Sequence, residues 1–389
     1  MKTMQKKSGS GWIVAAAVAL ALLPGACFNP LNDAEDGMGT IDFGVSNALA
    51  LVGPAEAADL RYDLVLSGPG GTITRTLEPG SGLSCSIKVV PGLWEVAVRA
   101  YDAEGLRGMG FTTVEAKAGQ NTPAQVGMNT TTAVSNWDDL KNAIEHADTE
   151  NGEYFLVAAE LEADSAISVD DHITIIADGH RIINRKTTHT GAFFEVASGG
   201  ELNLRHGFPG GSLILDGREV PGVSDALVVV SDGDLVMEGN VSLRNNVARG
   251  GVGMYGGSFI MNGGTISGNR TTTNGGGVYV NNGIFTMNGG TISNNEAAFG
   301  GGVYVLGGGI FNMSQGTVSG NKAGSRGGGV YVGMSGTFTK TGGIIYGDTD
   351  TTHTPNSTEN TAASGNGHAV YVSSTKKRDS TAGAGINLD

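Results

Sequence analysis

Acidic and basic side chains that could act on a bound substrate recur between positions 170 and 207. The residues concerned are Asp170, Asp171, His172, Asp178, His180, Arg205 and His206. Two carboxylates several ångströms apart, one of them protonated, can hydrolyse a glycosidic bond with inversion. A basic side chain near a metal held by carboxylates can instead abstract a proton. Asp170 and Asp171 would point to opposite faces of a strand, so we interpret this set as solvated turn residues and predict no catalytic residue.

One glycine-rich motif matches a nucleotide-binding sequence only formally. Residues 251–256 read GVGMYG and fit G-x-G-x-x-G, but a dinucleotide site needs this string between a strand and a helix. Here the strand-like segment SFIM follows, and Gly253 occupies the position that Tyr279 has in a later repeat. We therefore predict that the chain binds no nucleotide.

Metal and cofactor sites have little support in the sequence. Calcium-binding β-rolls need aspartates in their glycine-rich corners, and the GGGVYV corners contain none. The acidic segment GDTDTTHT, residues 347–354, is a candidate for a cation, although acidic loops of this kind are common. We predict no metal and no cofactor.

The charge balance limits the possible partners. The chain has 24 lysines and arginines against 38 aspartates and glutamates, a net charge of −14. Without the lysines at positions 2, 6 and 7 the balance is 21 against 38, a net charge near −17. Such an acidic surface repels nucleic acid, which we therefore exclude as a partner.

Residues 1–26 have the pattern of a secretory signal peptide. Lysines precede the apolar run WIVAAAVALALL, which is too short to span a membrane comfortably. The following LPGAC resembles the lipobox of bacterial lipoproteins, although Pro24 stands where leucine is usual. The resemblance implies that Cys27 carries lipid and that residues 27–39 form a tether to the membrane. Ordinary signal cleavage and a retained anchor are the alternatives.

Residues 40–130 consist of short alternating segments separated by Gly-Pro and Pro-Gly turns. In LWEVAVRA, for example, Trp94, Val96 and Val98 share one face. The pattern predicts a small antiparallel β-sandwich and resembles the Ig-like or prealbumin-like spacer modules of bacterial surface proteins. We expect Cys85, which alternates with polar residues, on the buried face of one strand.

The segment SNWDDLKNAIEHAD, which begins at Ser135, predicts the one clear helix of the mature chain. Ser135 and Asp138 fit a capping box. The apolar face of this helix would consist of Trp137, Leu140 and Ile144. We expect the helix to cap the N-terminal end of the domain that follows.

Residues 134–375 contain an explicit repeat. GTISGN at Gly264 recurs as GTISNN at Gly290 and as GTVSGN at Gly316, a constant spacing of 26 residues. Each repeat has three strand-like segments, VYV, FTM and TIS, with glycine or asparagine at the corners. The pattern predicts a parallel β-helix of about eight coils, in which each repeat is one coil. The fold class is therefore all-β.

Equivalent residues of successive coils are expected to stack on one another. The inward aromatic column would consist of Phe259, Phe285, Phe311 and Phe338. A second inward column would consist of Ile266, Ile292 and Val318. The corner asparagines predicted to form a hydrogen-bonded amide ladder are Asn269, Asn295 and Asn321.

The repeats resemble those of the pectin-lyase-like superfamily and, within that group, the polymorphic, adhesin-like repeat proteins of bacterial outer membranes. This resemblance implies a right-handed β-helix at the cell surface or outer membrane that binds a glycan or a host or extracellular protein. Because the superfamily includes polysaccharide lyases and glycoside hydrolases, an enzyme is the alternative, and a purely structural envelope protein is a second alternative. Residues 376–389 predict a flexible tail and no membrane barrel, so we expect lipid to provide the anchor.

The VYV strands predict a candidate binding surface. Their valines point inward, so the central tyrosines point outward and form a ladder: Tyr279, Tyr304, Tyr331 and Tyr371. The outward positions of the next strand add a polar margin: Thr286, Asn312 and Thr339. Such rings suit stacking against sugar faces or against the apolar edge of a partner. Rings that only support one another are the alternative.

Overall fold

The computed structural model describes residues 37–46, 59–147, 153–207, 211–347, 360–362 and 369–373. Within them the chain is all-β apart from one helix, and its larger part is a right-handed parallel β-solenoid of about 8 turns. Cys27, the signal segment, the tail 376–389 and most of the acidic segment 347–354 lie outside the described residues.

Three parallel sheets form the walls of the solenoid, and we name each after its repeated side chain. The strands of the tyrosine sheet are Ile167–Val169, Phe194–Val196, Val228–Val230, Val252–Met254, Val278–Asn281, Val303–Leu306, Val330–Val332 and Val370–Val372. The solenoid strands of the phenylalanine sheet are Glu153–Val157, His172–Ala177, Glu201–His206, Asp234–Met237, Ser258–Met261, Ile284–Met287, Ile310–Met313 and Thr337–Lys340. The strands of the isoleucine sheet are Leu161–Ala163, His180–Arg185, Ser212–Asp216, Val241–Arg244, Thr265–Ser267, Thr291–Ser293, Thr317–Ser319 and Ile344–Ile345.

The predicted inward columns are confirmed. Phe285 lies in register with Phe259 and Phe311, and adjacent rings of this column are 4.7 Å apart and nearly parallel. Phe338 continues the column at 4.9 Å, although it follows Phe311 by 27 residues and not by 26. Alternation along each short strand therefore sends one set of side chains into a dry core and the other set to solvent.

A further inward column, made of methionines, explains the Gly-Gly pair that precedes each TIS strand. Its members are Met237, Met261, Met287 and Met313. The terminal methyl of Met261 packs against Gly290, where an added Cβ would lie only 2.6 Å from it. Gly290 also has a φ of +80°. Glycine is thus required at this corner both by backbone conformation and by the neighbouring methionine.

The asparagine ladder predicted at one corner is present and longer than expected. Its members, all completely buried, are Asn246, Asn269, Asn295, Asn321 and Asn360. The Oδ1 atom of Asn321 accepts hydrogen bonds from the backbone N–H and the Nδ2 of Asn295, each at 3.0 Å. The Nδ2 of Asn321 donates to the carbonyl oxygen of Ile292 at 2.9 Å. Each amide therefore satisfies buried backbone groups in neighbouring coils.

The N-terminal region has its own sheets and core. One sheet places Gly39–Ser46 between Ser84–Val89, to which it is antiparallel, and Asn121–Gly127, to which it is parallel. The remaining strands pair antiparallel in the order Gly71–Leu77, Arg61–Gly68, Gly92–Asp102 and Gly105–Ala116. An apolar cluster around the completely buried Trp94 fills this region. Cys85 is only partly buried against that cluster, so the expectation of a buried position is met in part.

A shared strand joins the N-terminal region to the solenoid. Asn129–Val134 pairs with Gly105–Ala116 on one side and, in parallel, with Glu153–Val157 on the other. The phenylalanine sheet consequently continues into the N-terminal region as one 13-stranded sheet. The expected boundary near residues 130–134 falls inside this strand.

The helix spans Trp137–Glu145, and its N-cap corrects one prediction. Asn136, not Ser135, is the capping residue, because its backbone is extended and its Oδ1 accepts a hydrogen bond from the N–H of Asp139 at 2.8 Å. The predicted apolar face, Trp137, Leu140 and Ile144, is buried in the solenoid core cluster. Among the described residues no helix is long and apolar enough to cross a membrane.

A small additional sheet was not predicted. Glu296–Phe299 and Lys322–Arg326 pair in parallel beside the asparagine ladder. Single bridges extend this pairing to Arg270 and Thr361 in neighbouring coils. The chain between the isoleucine and tyrosine sheets is therefore partly held by backbone hydrogen bonds of its own.

Candidate functional site

The tyrosine sheet presents the surface with the most regular chemistry. Tyr279, Tyr304 and Tyr331 lie in register at the centre of successive strands, and Tyr371 follows in the last coil. Each ring is partly exposed. The valines on either side, such as Val303 and Val305, are completely buried. We call these four tyrosines the tyrosine ladder.

The rings of the tyrosine ladder stack face to face. The centroids of Tyr279 and Tyr304 are 5.8 Å apart, those of Tyr304 and Tyr331 are 4.8 Å apart, and those of Tyr331 and Tyr371 are 5.3 Å apart. The angles between adjacent ring planes are 5°, 2° and 11°. The spacing follows the separation of neighbouring strands, so the backbone sets the step of the ladder.

This geometry changes what the ladder can offer to a ligand. Because each ring face lies against the next ring, the faces inside the ladder are covered. The outward parts are the ring edges and the phenol hydroxyls. The expectation that sugar faces stack on these rings therefore does not fit the interior of the ladder, whereas contact with the edges and hydroxyls does.

A fifth ring extends the surface at its N-terminal end and was missed from the sequence. Gly253 takes the in-register position beside Tyr279, and Tyr255 places its ring 5.8 Å from that of Tyr279 at an angle of 50°. An added Cβ on Gly253 would lie 3.7 Å from this ring, so the ring of Tyr255 covers the glycine. The sequence held a signal for this, since residues 253 and 255 share one face of an extended segment.

Other side chains contact the tyrosines of this surface. Arg249 Nη1 donates a hydrogen bond to the hydroxyl of Tyr255 at 3.0 Å. Phe299 packs its ring edge-on against Tyr331 at 5.6 Å. The guanidinium of Arg326 lies 5.1 Å from the ring centroid of Tyr371. The surface is thus aromatic along its length and carries a cation near each end.

Two hydroxyls of the ladder, those of Tyr279 and Tyr304, have a pKa raised above the ordinary value of a phenol. Burial raises the pKa of Tyr279, the neighbouring Tyr255 raises it further, and Arg249 opposes this effect. Burial also raises the pKa of Tyr304, together with Tyr331 and Tyr279. Tyr279 and Tyr304 therefore keep protonated phenol groups, which can both donate and accept hydrogen bonds.

The acidic and basic residues between positions 170 and 207 do not converge. Asp170 and Asp171 lie in the corner between Ile167–Val169 and His172–Ala177, which agrees with the turn interpretation and not with opposite faces of one strand. The other side chains of this set contact different partners: Asp178 contacts Arg99 at 2.6 Å, His172 contacts Glu201 at 3.8 Å, and His180 contacts Ser212 at 2.9 Å. Arg205 and His206 both contact Glu95, at 3.4 Å and 3.8 Å. In the part of the chain that the structure describes, no group of three or more His, Cys, Asp or Glu side chains could hold a metal.

The junction between the N-terminal region and the solenoid forms a groove of about 450 Å³. Glu95, Arg205, His206 and Glu238 line it. The guanidinium of Arg205 lies 3.8 Å from the ring centroid of Phe111, and Glu95 lies 3.8 Å from His206 as well as close to Arg205. Glu95 is thus already paired with Arg205, and Glu238 accepts a hydrogen bond from Asn262 at 3.0 Å. The pair of Glu95 and Arg205 joins the two regions.

A second shallow groove, of about 470 Å³, lies beside the small additional sheet. Its charged members are Arg270 and Glu296. Arg270 pairs with Glu219 at 3.0 Å, and Glu296 pairs with Lys322 at 3.0 Å. This groove therefore offers no charged group that lacks a partner.

Comparisons with protein-family models, with curated proteins and with solved structures find no match to this chain. The tyrosine ladder is the surface on which its side chains combine regular spacing, exposure and hydrogen-bonding capacity. We therefore base the functional proposal on the geometry of the tyrosine ladder.

Proposed function

We propose that the protein is an exported, lipid-anchored surface protein whose solenoid presents the tyrosine ladder as an adhesion surface for a glycan or a host or extracellular protein. The observation that carries this proposal is the row of stacked, partly exposed tyrosines along one wall. Aromatic side chains with a polar tip are enriched at recognition surfaces because they offer large contact area with little loss of conformational freedom.

The rest of the chain supports presentation of that surface. Cys27 would carry the lipid, and the residues up to 39 would tether the protein to the membrane. The N-terminal region would act as an Ig-like or prealbumin-like spacer, and the helix Trp137–Glu145 would cap the solenoid. The continuous 13-stranded sheet favours a rigid spacer, because the two regions share backbone hydrogen bonds.

A structural envelope role is the second candidate. The same stacking that forms the tyrosine ladder would stabilise the sheet without a ligand, since aromatic cross-strand pairs each contribute roughly 0.2–1 kcal/mol. A pectin-lyase-like enzyme, the other alternative, has no comparable observation in its favour. Its candidate residues lie in separate pairs, except that Arg205 and His206 share Glu95.

Replacing the rings tests the adhesion proposal. The triple variant Tyr279→Ser, Tyr304→Ser and Tyr331→Ser removes three rings and leaves the buried valines in place. We expect attachment to host cells or extracellular matrix to fall at least about tenfold, or roughly 1.4 kcal/mol. Circular dichroism and thermal melting check that the variant is folded, and a folded variant that attaches as well as the wild type would leave the ladder a structural feature.

Lipid attachment is tested separately. Metabolic labelling with an alkyne fatty acid is expected to mark the wild type and not the Cys27→Ser variant, because acylation needs the cysteine thiol. Equal label in both proteins would contradict the lipid anchor. The variant Cys85→Ser is the matched control, and its labelling should equal that of the wild type.

A further inference from the structure

The hydroxyls of the ladder tyrosines differ from that of Tyr255 in their hydrogen bonding among the described residues. The hydroxyl of Tyr255 accepts a hydrogen bond from Arg249 at 3.0 Å. Among the described residues, the hydroxyls of the four ladder tyrosines have no protein partner. Their capacity to donate and accept is therefore directed to solvent or to a ligand.

The rings that carry these hydroxyls form a row with a step of 4.8 to 5.8 Å. Adjacent rings are almost parallel and their centroids are 5.8, 4.8 and 5.3 Å apart, so equivalent atoms repeat along the solenoid axis with a similar spacing. A ligand that uses several of these hydroxyls at once needs groups that repeat with that step. The ladder thus favours a periodic ligand that lies along the axis.

Two kinds of extended polymer can be compared with this step. A peptide strand advances about 3.3 Å per residue, so its groups on one face repeat only about every 6.6 Å and lose register within four coils. An extended polysaccharide carries hydroxyls on both edges of every sugar ring, so each unit presents a hydroxyl to the same side even where successive rings are turned over. The length of one pyranose unit is close to the step of the ladder. The spacing therefore favours the polysaccharide.

Charge narrows the class of polysaccharide. The whole chain has a net charge of −14, so an anionic polymer is repelled at long range. The arginines at the ends of the ladder already contact Tyr255 and Tyr371. An uncharged polymer avoids this repulsion and can still pair its hydroxyls with phenols.

We infer that the tyrosine ladder binds a neutral, extended polysaccharide laid parallel to the solenoid axis, with one sugar unit hydrogen-bonded to the hydroxyl of each coil. This inference rests on the proposed adhesion function and specifies its ligand class. It also assigns the contact to the hydroxyls, since the ring faces inside the ladder are covered.

The test uses cello-oligosaccharides and chito-oligosaccharides from two to six units, titrated into the full chain by isothermal calorimetry. Affinity is expected to rise with each unit up to four and then to level off, because four coils carry a free hydroxyl. The double variant Tyr304→Phe and Tyr331→Phe keeps the stacked rings and removes two hydroxyls. Its affinity for the four-unit ligand should fall about tenfold, since each hydrogen bond contributes roughly 0.5–1.5 kcal/mol.

Tyr346→Phe is the matched control, because Tyr346 is also exposed but lies outside the tyrosine sheet. It should change the affinity less than about twofold. If the triple serine variant loses attachment while the double phenylalanine variant binds normally, the rings and not the hydroxyls bind, and the inference is overturned while the adhesion proposal stands. Wild-type protein that binds none of these oligosaccharides, or binds all lengths equally, also overturns it.

Discussion

The early coils of the solenoid, residues 153–249, and the later coils, residues 250–346, use the same three sheets with different side chains. One inward column of the phenylalanine sheet begins as Ile173, Leu202 and Leu235 and continues as Phe259 and Phe285. The early part of the column is mixed and aliphatic, and the later part repeats one aromatic residue. Inward alternation is thus sufficient to form a coil, and identity of side chains adds stacking to it.

The two parts differ more at the polar corner. In the later coils the asparagine ladder provides hydrogen-bond partners for buried backbone N–H and C=O groups. The first member of the asparagine ladder is Asn246, whose Oδ1 accepts a hydrogen bond from Arg185 Nη2 at 3.1 Å. Arg185 is completely buried, donates also to the carbonyl oxygen of His189 at 3.3 Å, and lies 4.8 Å from the ring centroid of Phe193. Burial lowers its pKa to about 10.

Arg185 therefore ends the asparagine ladder where the repeat ends. A ladder of identical amides needs, at its first member, a donor from outside the repeat, because no preceding asparagine supplies one. A buried guanidinium meets this need at the expense of desolvating a charge. Its Nε atom has no hydrogen-bond partner among the described residues, so the arrangement is less complete than the amide ladder.

The largest effect is expected from a cavity in the repeated column. Phe311→Ala should lower the free energy of unfolding by about 3–5 kcal/mol, because the ring is completely buried between Phe285 and Phe338. Urea denaturation followed by circular dichroism measures it. Each coil packs on its neighbours, so the effect should couple with that of Phe285→Ala.

Phe311→Leu and Leu235→Ala sharpen this test. Phe311→Leu keeps most of the buried area and removes the ring stacking, which should contribute about 0.5–1.5 kcal/mol beyond burial. Leu235→Ala gives the cost of a cavity in the mixed part of the column, about 2–5 kcal/mol. A loss below about 1 kcal/mol for Phe311→Ala would show that the ring is not buried as described.

The next effect is expected in the asparagine ladder. Asn295→Ala removes four hydrogen bonds and leaves the carbonyl of Ile266 and the N–H of Asn269 without a partner from this side chain. We expect a loss of about 2–4 kcal/mol, because stranded buried polar groups cost about 1–3 kcal/mol each. Thermal and urea unfolding measure the loss.

Asn288 offers a matched control in the same coil. It is exposed, and its Nδ2 donates to Asn262 Oδ1 at 3.1 Å on the surface. Asn288→Ala should change the stability by less than about 0.5 kcal/mol. Similar losses for the two variants would mean that burial of the amide ladder does not stabilise the later coils.

The contrast between the two parts of the solenoid also explains what the sequence could predict. Identical side chains at a spacing of 26 residues align themselves, so the register of Phe285 and Asn295 follows directly from the repeat. Tyr304 is 25 residues after Tyr279, and its register follows from the VYV motif around it. Non-repeated contacts have no such signal. Arg185 and Asn246 are 61 residues apart, and nothing in either local sequence indicates their hydrogen bond.

At the candidate site the same distinction holds. The positions of the four ladder tyrosines could be predicted, because strand alternation and coil register decide them. The covering of ring faces could not, because it depends on a shared side-chain rotamer in successive coils. Likewise the observed N-cap, Asn136, is one residue away from the predicted N-cap, Ser135, and sequence patterns rarely resolve a helix end to one residue.

The smallest effect, with opposite sign, is expected where the repeated column ends. Lys340 lies in register with Met313 and so occupies the position that methionine has in the coils before it. Burial lowers its pKa. An inward charge on the last strand protects an exposed edge against pairing with another chain. Lys340→Met should therefore raise the free energy of unfolding by about 1 kcal/mol through added apolar burial, and should increase self-association in light scattering.

The pH dependence of the stability of Lys340→Met distinguishes a gain from replacing a partly buried charge from a general effect of removing a surface lysine. Since the pKa of Lys340 is lowered in the folded state, the unfolded chain binds more protons between that pKa and the ordinary value of about 10.4, and wild-type stability rises with pH in this window. The difference in free energy of unfolding between the variant and the wild type should be largest at pH 7. It should decrease as the pH approaches about 10.4. Lys322→Met, at an exposed lysine paired with Glu296, should show no gain at pH 7. A Lys340→Met variant no more stable than wild type at pH 7 would place Lys340 outside the methionine column.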